Sequence, residues 1–276
     1  MLHLDFYKDS AFADYNRVMT ADPTARTALV TGASKGIGKC IAIELARVGF
    51  DVAVNYHSDL AGAQDTVAQI EAFGRKAVAI QADVGDVTST RNLFAQFDTH
   101  FPDIDVVVAN AAVQTWKPLL ELEVEDWDKV INTNLRGTFL CTQEAAKRMV
   151  AKGHGGSIIA IGSGCNKLAF PRLVDYTASK GGIEMFTKVA AVELGKYQIR
   201  VNCVAPGATE VERTKHETGD YAGTWAPITP LRRIGMPIDI ARAVLFFAGD
   251  QSDFVTGQTL FVDGGVGAKP QWPYEF

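Results

Sequence analysis

The sequence predicts an α/β fold: a single domain built on a doubly wound, seven-stranded parallel sheet. Two observations point to it. From Arg26 onward, short β-rich apolar runs alternate with longer stretches of helical period, and most of the short runs are too uniformly apolar to leave one face in water. In addition, the 276 residues contain no fixed-period repeat and no low-complexity linker that would mark a second domain.

Taken in order, the strands are expected at 27–31, 51–56, 77–82, 105–110, 157–162, 200–205 and 259–262. Between them, 36–48, 59–73 and 87–101 space apolar residues three and four apart, as helices that cover a sheet require. The expected organisation is an N-terminal arm at 1–26, the α/β domain at 27–267 and a tail at 268–276. Leu2, Leu4, Phe6, Phe12, Tyr15 and Met19 of the arm either pack on the body or on a neighbouring subunit, or belong to a partly disordered end. The tail is rich in aromatic residues and proline, which suits a segment that docks.

Composition narrows the function classes. A net charge of −5, with both signs interspersed, offers no broad basic face to nucleic acid, so a small-molecule partner is expected. No stretch reaches the ~18 apolar residues of a membrane span, and 1–26 lacks the apolar core of a signal peptide, so the expected location is the cytoplasm. Cys40, Cys141, Cys165 and Cys203 lie far apart without metal-binding spacing, so no metal site is expected and the thiols read as reduced and mostly buried.

Chemistry enters immediately after the first strand. Thr31-Gly32-Ala33-Ser34-Lys35-Gly36-Ile37-Gly38 leads straight into a helical pattern, the strand, glycine turn and helix order of a Rossmann fold. A dinucleotide pyrophosphate needs a backbone free of Cβ interference and the unpaired N–H groups of a helix N-terminus. Gly32, Gly36 and Gly38 meet both needs, although their spacing is G-x-x-x-G-x-G rather than G-x-G-x-x-G.

At the end of the second strand, 23 positions after Gly32, a carboxylate would repel a 2′-phosphate and favour NAD. The residue there is Asn55, followed by Tyr56, His57 and Ser58. With Lys35 in the glycine turn, these supply positive charge or donors, so NADP(H) is favoured over NAD(H), and Asn55→Asp should shift the preference toward NAD. Asp51 stands at the wrong end of the strand to argue for NAD, and Asp59 is expected to cap the next helix.

The segment Tyr176-Thr177-Ala178-Ser179-Lys180 sets a phenol and an ammonium four residues apart, on one helix face. A tyrosine of pKa ~10 is a poor base near neutrality unless a cation stabilises its phenolate, and Lys180 is spaced to do so. Thirteen residues upstream, at a strand end, stands Ser163, a hydroxyl suited to a substrate oxygen.

Gly32 to Gly38, Asn110-Ala111-Ala112, Asn134, Ser163, Tyr176, Lys180 and Pro206-Gly207 occur in the order of the short-chain dehydrogenase/reductase family, which the chain resembles over about Arg26 to Gly267. The resemblance implies that Tyr176 exchanges a proton with the substrate oxygen, while Lys180 lowers the tyrosine pKa and holds the nicotinamide ribose. It further implies that Ser163 polarises the carbonyl and that Asn134 interrupts a helix and supports a water relay to the lysine. Asp83 and Val84 match the pair beside adenine, and Pro206 and Gly207 match the pair that closes over the nicotinamide. Ala112 departs from the usual glycine, and Val211 stands where the family often has threonine, which leaves Thr209 as a candidate for the carboxamide.

The activity expected from the resemblance is NADP(H)-dependent reduction of a ketone or aldehyde to an alcohol, similar to that of 3-oxoacyl-carrier-protein reductases. An NAD(P)-dependent sugar or polyol dehydrogenase is the alternative, with Gln114, Trp116, Asn166 and Trp225 as pocket candidates for a hydroxyl-rich substrate. His216, Tyr221 and Trp225, in the variable substrate loop, either line the pocket or cover the core. A catalytically silent nucleotide-binding scaffold would be expected to lack one of the asparagine, serine, tyrosine and lysine groups, all of which are present. An epimerase of the extended family would need more chain after Val262. A homotetramer with helix-to-helix interfaces is also implied.

Overall fold

Every residue of β1 (Thr27–Val30) is buried, so the strand lies inside a sheet covered on both faces. The computed structural model describes residues 26–212, 214 and 219–268. After β1 come α1 (Gly36–Arg47), β2 (Asp51–Tyr56), α2 (Leu60–Glu71), β3 (Ala77–Gln81), α3 (Val87–His100) and β4 (Val106–Ala109). The chain continues through α4 (Val124–Val130), a π-helical turn (Ile131–Arg136), α5 (Gly137–Lys152), β5 (Gly156–Ile161) and α6 (Val174–Leu194). It ends with β6 (Ile199–Pro206), α7 (Tyr221–Trp225), α8 (Pro237–Ala248) and β7 (Thr259–Val262).

The strands form one seven-stranded sheet in the order β3-β2-β1-β4-β5-β6-β7, with every neighbouring pair parallel. Side chains alternate across it. Ala28 and Val30 pack with Ile41 and Leu45 of α1, Ile70 of α2 and Phe247 of α8, while Leu29 packs with Phe94 of α3, Met149 of α5 and Ala191 of α6. Truncating a core residue such as the fully buried Phe94 to alanine would cost about 3–5 kcal/mol. The predicted fold is therefore the observed one, and strand limits differ from expectation by a residue at an end. Thr31 and Asn110, for example, leave their strands to bond one another.

Helix starts follow local chemistry. Asp59 caps α2, as expected, by accepting from Gly62 N at 3.0 Å, and Asp86 caps α3 by accepting from Ser89 N at 2.7 Å. All four cysteines are free; Cys141, Cys165 and Cys203 are buried and Cys40 half-buried. Among the described residues no cluster of side chains is suited to a metal, and no helix is long and apolar enough to cross a membrane. The expectations for the arm before Arg26, for His216 and for the tail after Ala268 lie outside the described residues.

The chain builds outward from β1 to β3, then returns to place β4 on the other side of β1. At such a switch point the loops after β1 and β4 diverge, which opens a crevice at the carboxyl ends of the strands.

Candidate active site

One wall of the crevice is backbone against backbone. Gly32 adopts φ +61, and a Cβ added there would lie 2.9 Å from Ala111 Cα; a Cβ on Gly38 would strike Asn110 Nδ2 and the Gly32 carbonyl. Thr31 Oγ1 accepts from Asn110 N at 2.9 Å and Ala111 N at 3.0 Å, while Asn110 Nδ2 donates to Thr31 O at 2.8 Å. Asn110 and Ala111 thus brace the glycine turn, and Ala112 beside them is exposed. Lys35 stands at the residue before α1, and its side chain makes no hydrogen bond to the first helical N–H groups. Ser34 is buried in the turn, Gly36 and Ile37 are half-buried and Lys35 is exposed. This cradle and uncapped helix start fit a dinucleotide pyrophosphate.

Asn55 is a correction. Its side chain is 1% exposed and faces into the protein: Oδ1 accepts from Gly32 N at 3.2 Å, and Nδ2 donates to Ile80 O and Ala82 O, each at 3.2 Å. It supports the glycine turn from behind and does not present itself to a ribose. Tyr56 is also buried, so the exposed residues at the end of β2 are His57 and Ser58. Gln81 Nε2 holds that loop by donating to His57 O at 2.9 Å. Asp83 is exposed, with its carboxylate accepting from Gly85 N at 2.8 Å, and Val84 beside it is buried.

The opposite wall carries the reactive groups. Lys180 is 2% exposed, its Nζ donating to Ile161 O at 2.7 Å and standing 5.5 Å from the centroid of the Tyr176 ring. An ammonium that deep needs a polar partner, and the last carbonyl of β5 supplies one. Two residues beyond Ile161, Ser163 is half-buried, and its hydroxyl oxygen accepts from Cys165 N at 3.2 Å. The same strand end therefore locates both Lys180 and Ser163. Burial pushes the neighbouring Cys203 thiol up to about 11, against the lowering charge of Lys180, so this sulfur stays protonated near neutrality.

Asn134 is fully buried in the π-helical turn, the helix interruption that the resemblance implies. Its Oδ1 accepts from Val113 N at 2.8 Å, and its Nδ2 donates to Val113 O at 2.9 Å and Ser179 Oγ at 3.1 Å. Ser179 Oγ donates in turn to Tyr176 O at 2.7 Å. Ser179 and Thr31 are residues of the site to which the sequence assigns no role; Asn134 and Asn110, which tie them into it, lie 45 and 79 residues away in the chain.

Pro206 closes β6, and Gly207 N donates to Val262 O at 3.0 Å. Thr209 is 6% exposed and its hydroxyl donates to Gly207 O at 3.1 Å, so the structure turns it inward and removes it as an available carboxamide donor. Among the pocket candidates, Trp225 joins a chain of aromatic rings, 6.0 Å from Phe170 and 6.3 Å from Tyr221 between centroids. Trp116 is exposed and Gln114 half-buried. Asn166 is directed at Ser163 rather than outward: Oδ1 accepts from Ser163 N at 3.1 Å.

The chain is similar to known proteins over most of its length. A family model described as Enoyl-(Acyl carrier protein) reductase matches residues 32–267. A short-chain dehydrogenase/reductase of Armillaria gallica is 40% identical over 255 residues, 90% of this chain and 98% of the relative. An L-rhamnose 1-dehydrogenase (NAD(P)(+)) of Sphingomonas sp. (strain SKA58) is 39% identical over 244 residues, 87% of this chain and 96% of the relative. The crystal structure of acetoin dehydrogenase from Enterobacter cloacae superposes with a TM-score of 0.84 at 36% identity, covering 92% of this chain and 100% of that one.

Proposed function

Since the chain belongs to the short-chain dehydrogenase/reductase family, and so is an oxidoreductase of CH–OH and carbonyl groups, we propose that it reduces a ketone or aldehyde with NADP(H). The observation that carries this reading is the buried Lys180 beneath the Tyr176 ring, with Ser163 on the same strand end.

A bound nicotinamide supplies the hydride to the carbonyl carbon, or accepts it in the reverse direction. Tyr176 gives its hydroxyl proton to the substrate oxygen, and the Lys180 charge stabilises the phenolate left behind. Ser163, whose Oγ accepts from Cys165 N, gives its own hydroxyl proton to that oxygen, where negative charge develops. Asn134 holds the first turns of α6 through Ser179, so that Tyr176 and Lys180 keep one orientation. The glycine turn at Gly32, Gly36 and Gly38 would hold the pyrophosphate, Asp83 and Val84 the adenine, and Pro206 and Gly207 the nicotinamide.

The preference for NADP(H) is supported by the residues exposed around the end of β2 and by the Lys35 charge in the neighbouring turn. Asn55 is buried, Asp59 is engaged in capping α2, and the exposed residues are His57 and Ser58, with Lys35 across the turn. Similarity to an L-rhamnose 1-dehydrogenase favours a second reading, oxidation of a sugar or polyol through the same residues in reverse. Phe139, Val150, Val189 and Val192, exposed on α5 and α6, support self-association, with a homotetramer as the proposed assembly.

The test is a titration with NADPH and NADH, followed by nicotinamide absorbance against ketones, oxoacyl thioesters and ketoses, and against aldoses and polyols with the oxidised cofactors. Tighter binding of NADPH with carbonyl turnover is expected. Binding of neither cofactor would overturn the site, and turnover confined to sugar or polyol oxidation would select the second reading.

A further inference from the structure

We propose that Asn166 is a positioning residue for Ser163, an inference that rests on Ser163 polarising the substrate oxygen. The turn after β5 is closed reciprocally. Ser163 Oγ accepts from Cys165 N at 3.2 Å, Asn166 Oδ1 accepts from Ser163 N at 3.1 Å, and Asn166 N donates to Ser163 O at 2.9 Å. Asn166 thereby holds both main-chain polar groups of the serine, the N–H through its carboxamide and the C=O through its own main-chain N–H.

This clamp is itself seated. Asn166 Nδ2 donates to Cys203 Sγ at 3.9 Å, which ties the turn to β6, the neighbour of β5. Gly162 leaves the room: a Cβ there would lie 2.7 Å from Cys203 Sγ and 2.8 Å from Asn166 Nδ2. The carboxamide therefore fills the space behind Ser163 and fixes the direction of the strand end as it leaves the sheet. A hydroxyl that must meet a developing oxyanion gains rate from this restraint, because small misplacements of a reacting group are costly.

The experiment compares Asn166→Ala, Asn166→Asp, Ser163→Ala and the double variant Asn166→Ala/Ser163→Ala for kcat, KM and NADPH affinity. Asn166→Ala is expected to lower kcat roughly tenfold or more with KM and NADPH affinity nearly unchanged. Asn166→Asp, which keeps the Oδ1 acceptor, is expected to restore most of the rate. In the Ser163→Ala background the alanine at 166 should cost less than about twofold more, since it acts through a hydroxyl already removed.

A kcat of Asn166→Ala within about twofold of wild type, multiplying losses in the double variant, or a loss confined to KM would each overturn the proposal. Should Asn166→Ala fail to fold, Asn166→Ser, whose hydroxyl is too short to reach across the turn, takes its place under the same criteria. Full activity of Ser163→Ala would instead sink the reading of Ser163, and the inference with it. A slow Ser163→Ala beside a fast Asn166→Ala would sink the inference alone.

Discussion

Asn55 Oδ1 lies 3.2 Å from Gly32 N, so the carboxamide at the end of β2 bonds the first glycine of the cofactor turn from beneath. Its Nδ2 holds Ile80 O and Ala82 O at the end of β3. An aspartate at this position would bring a buried charge against two carbonyl oxygens that had lost their donor. Asn55→Asp is therefore expected to destabilise the fold by at least about 2 kcal/mol. It should weaken NADPH and NADH alike, as read by thermal melting and fluorescence titration. A stable variant that merely exchanged its cofactor preference would contradict the inward placement.

Charge placed on the exposed loop should do what charge at Asn55 cannot. Ser58→Asp is expected to weaken NADPH by roughly tenfold relative to NADH, because a carboxylate beside a 2′-phosphate is repelled, and the effect should shrink at high salt. Unchanged selectivity in parallel titrations would mean that the loop does not face the 2′-phosphate.

Tyr176 and Lys180 are expected to separate chemistry from binding. Tyr176→Phe keeps the ring under which Lys180 sits but removes the proton, so kcat should fall by ~10²–10⁴ with cofactor affinity nearly intact. Lys180→Ala removes the buried partner of Ile161 O and should lose both affinity and turnover. Substantial residual turnover in Tyr176→Phe, or wild-type NADPH affinity in Lys180→Ala, would each remove that residue from its proposed role.

At the start of α8 the Arg233 guanidinium, 2.6 Å away, holds the Asp239 carboxyl below its ordinary range, aided by Met236 N at 2.8 Å and opposed by partial burial. A depressed folded-state pKa means stability that is present above the unfolded value of ~3.9 and lost as the pH falls through the folded one. Asp239→Ala should lower Tm by about 2–4 °C at pH 7, the loss of one cap, and the gap from wild type should narrow below about pH 4. A gap that stays constant down to pH 3 would show that the charge contributes nothing.

Much of the site was legible because its signals are local. Tyr176 and Lys180 share a helix face by their spacing, Ser163 stands where a buried strand ends, and three glycines between a strand and a helix mark a turn with an open backbone. Asn55, Thr209 and Asn166 were misread for a common reason: a polar residue beside the crevice can turn either toward it or away. The partners that decide the matter for Asn55, Ile80 and Ala82, lie 25 and 27 residues along the chain, and Val113 lies 21 residues from Asn134.

The sequence by itself determined the order of strands and helices, because the period of apolar residues encodes which faces are buried. It also determined the inventory of groups able to move a proton and to cradle a pyrophosphate. Only the tertiary structure decided which polar side chains remain free for ligands. At the strand ends, backbone N–H and C=O groups leave the sheet ladder and must find partners wherever water is excluded. Asn55 and Asn166 meet that demand, and so serve the site from behind instead of within it.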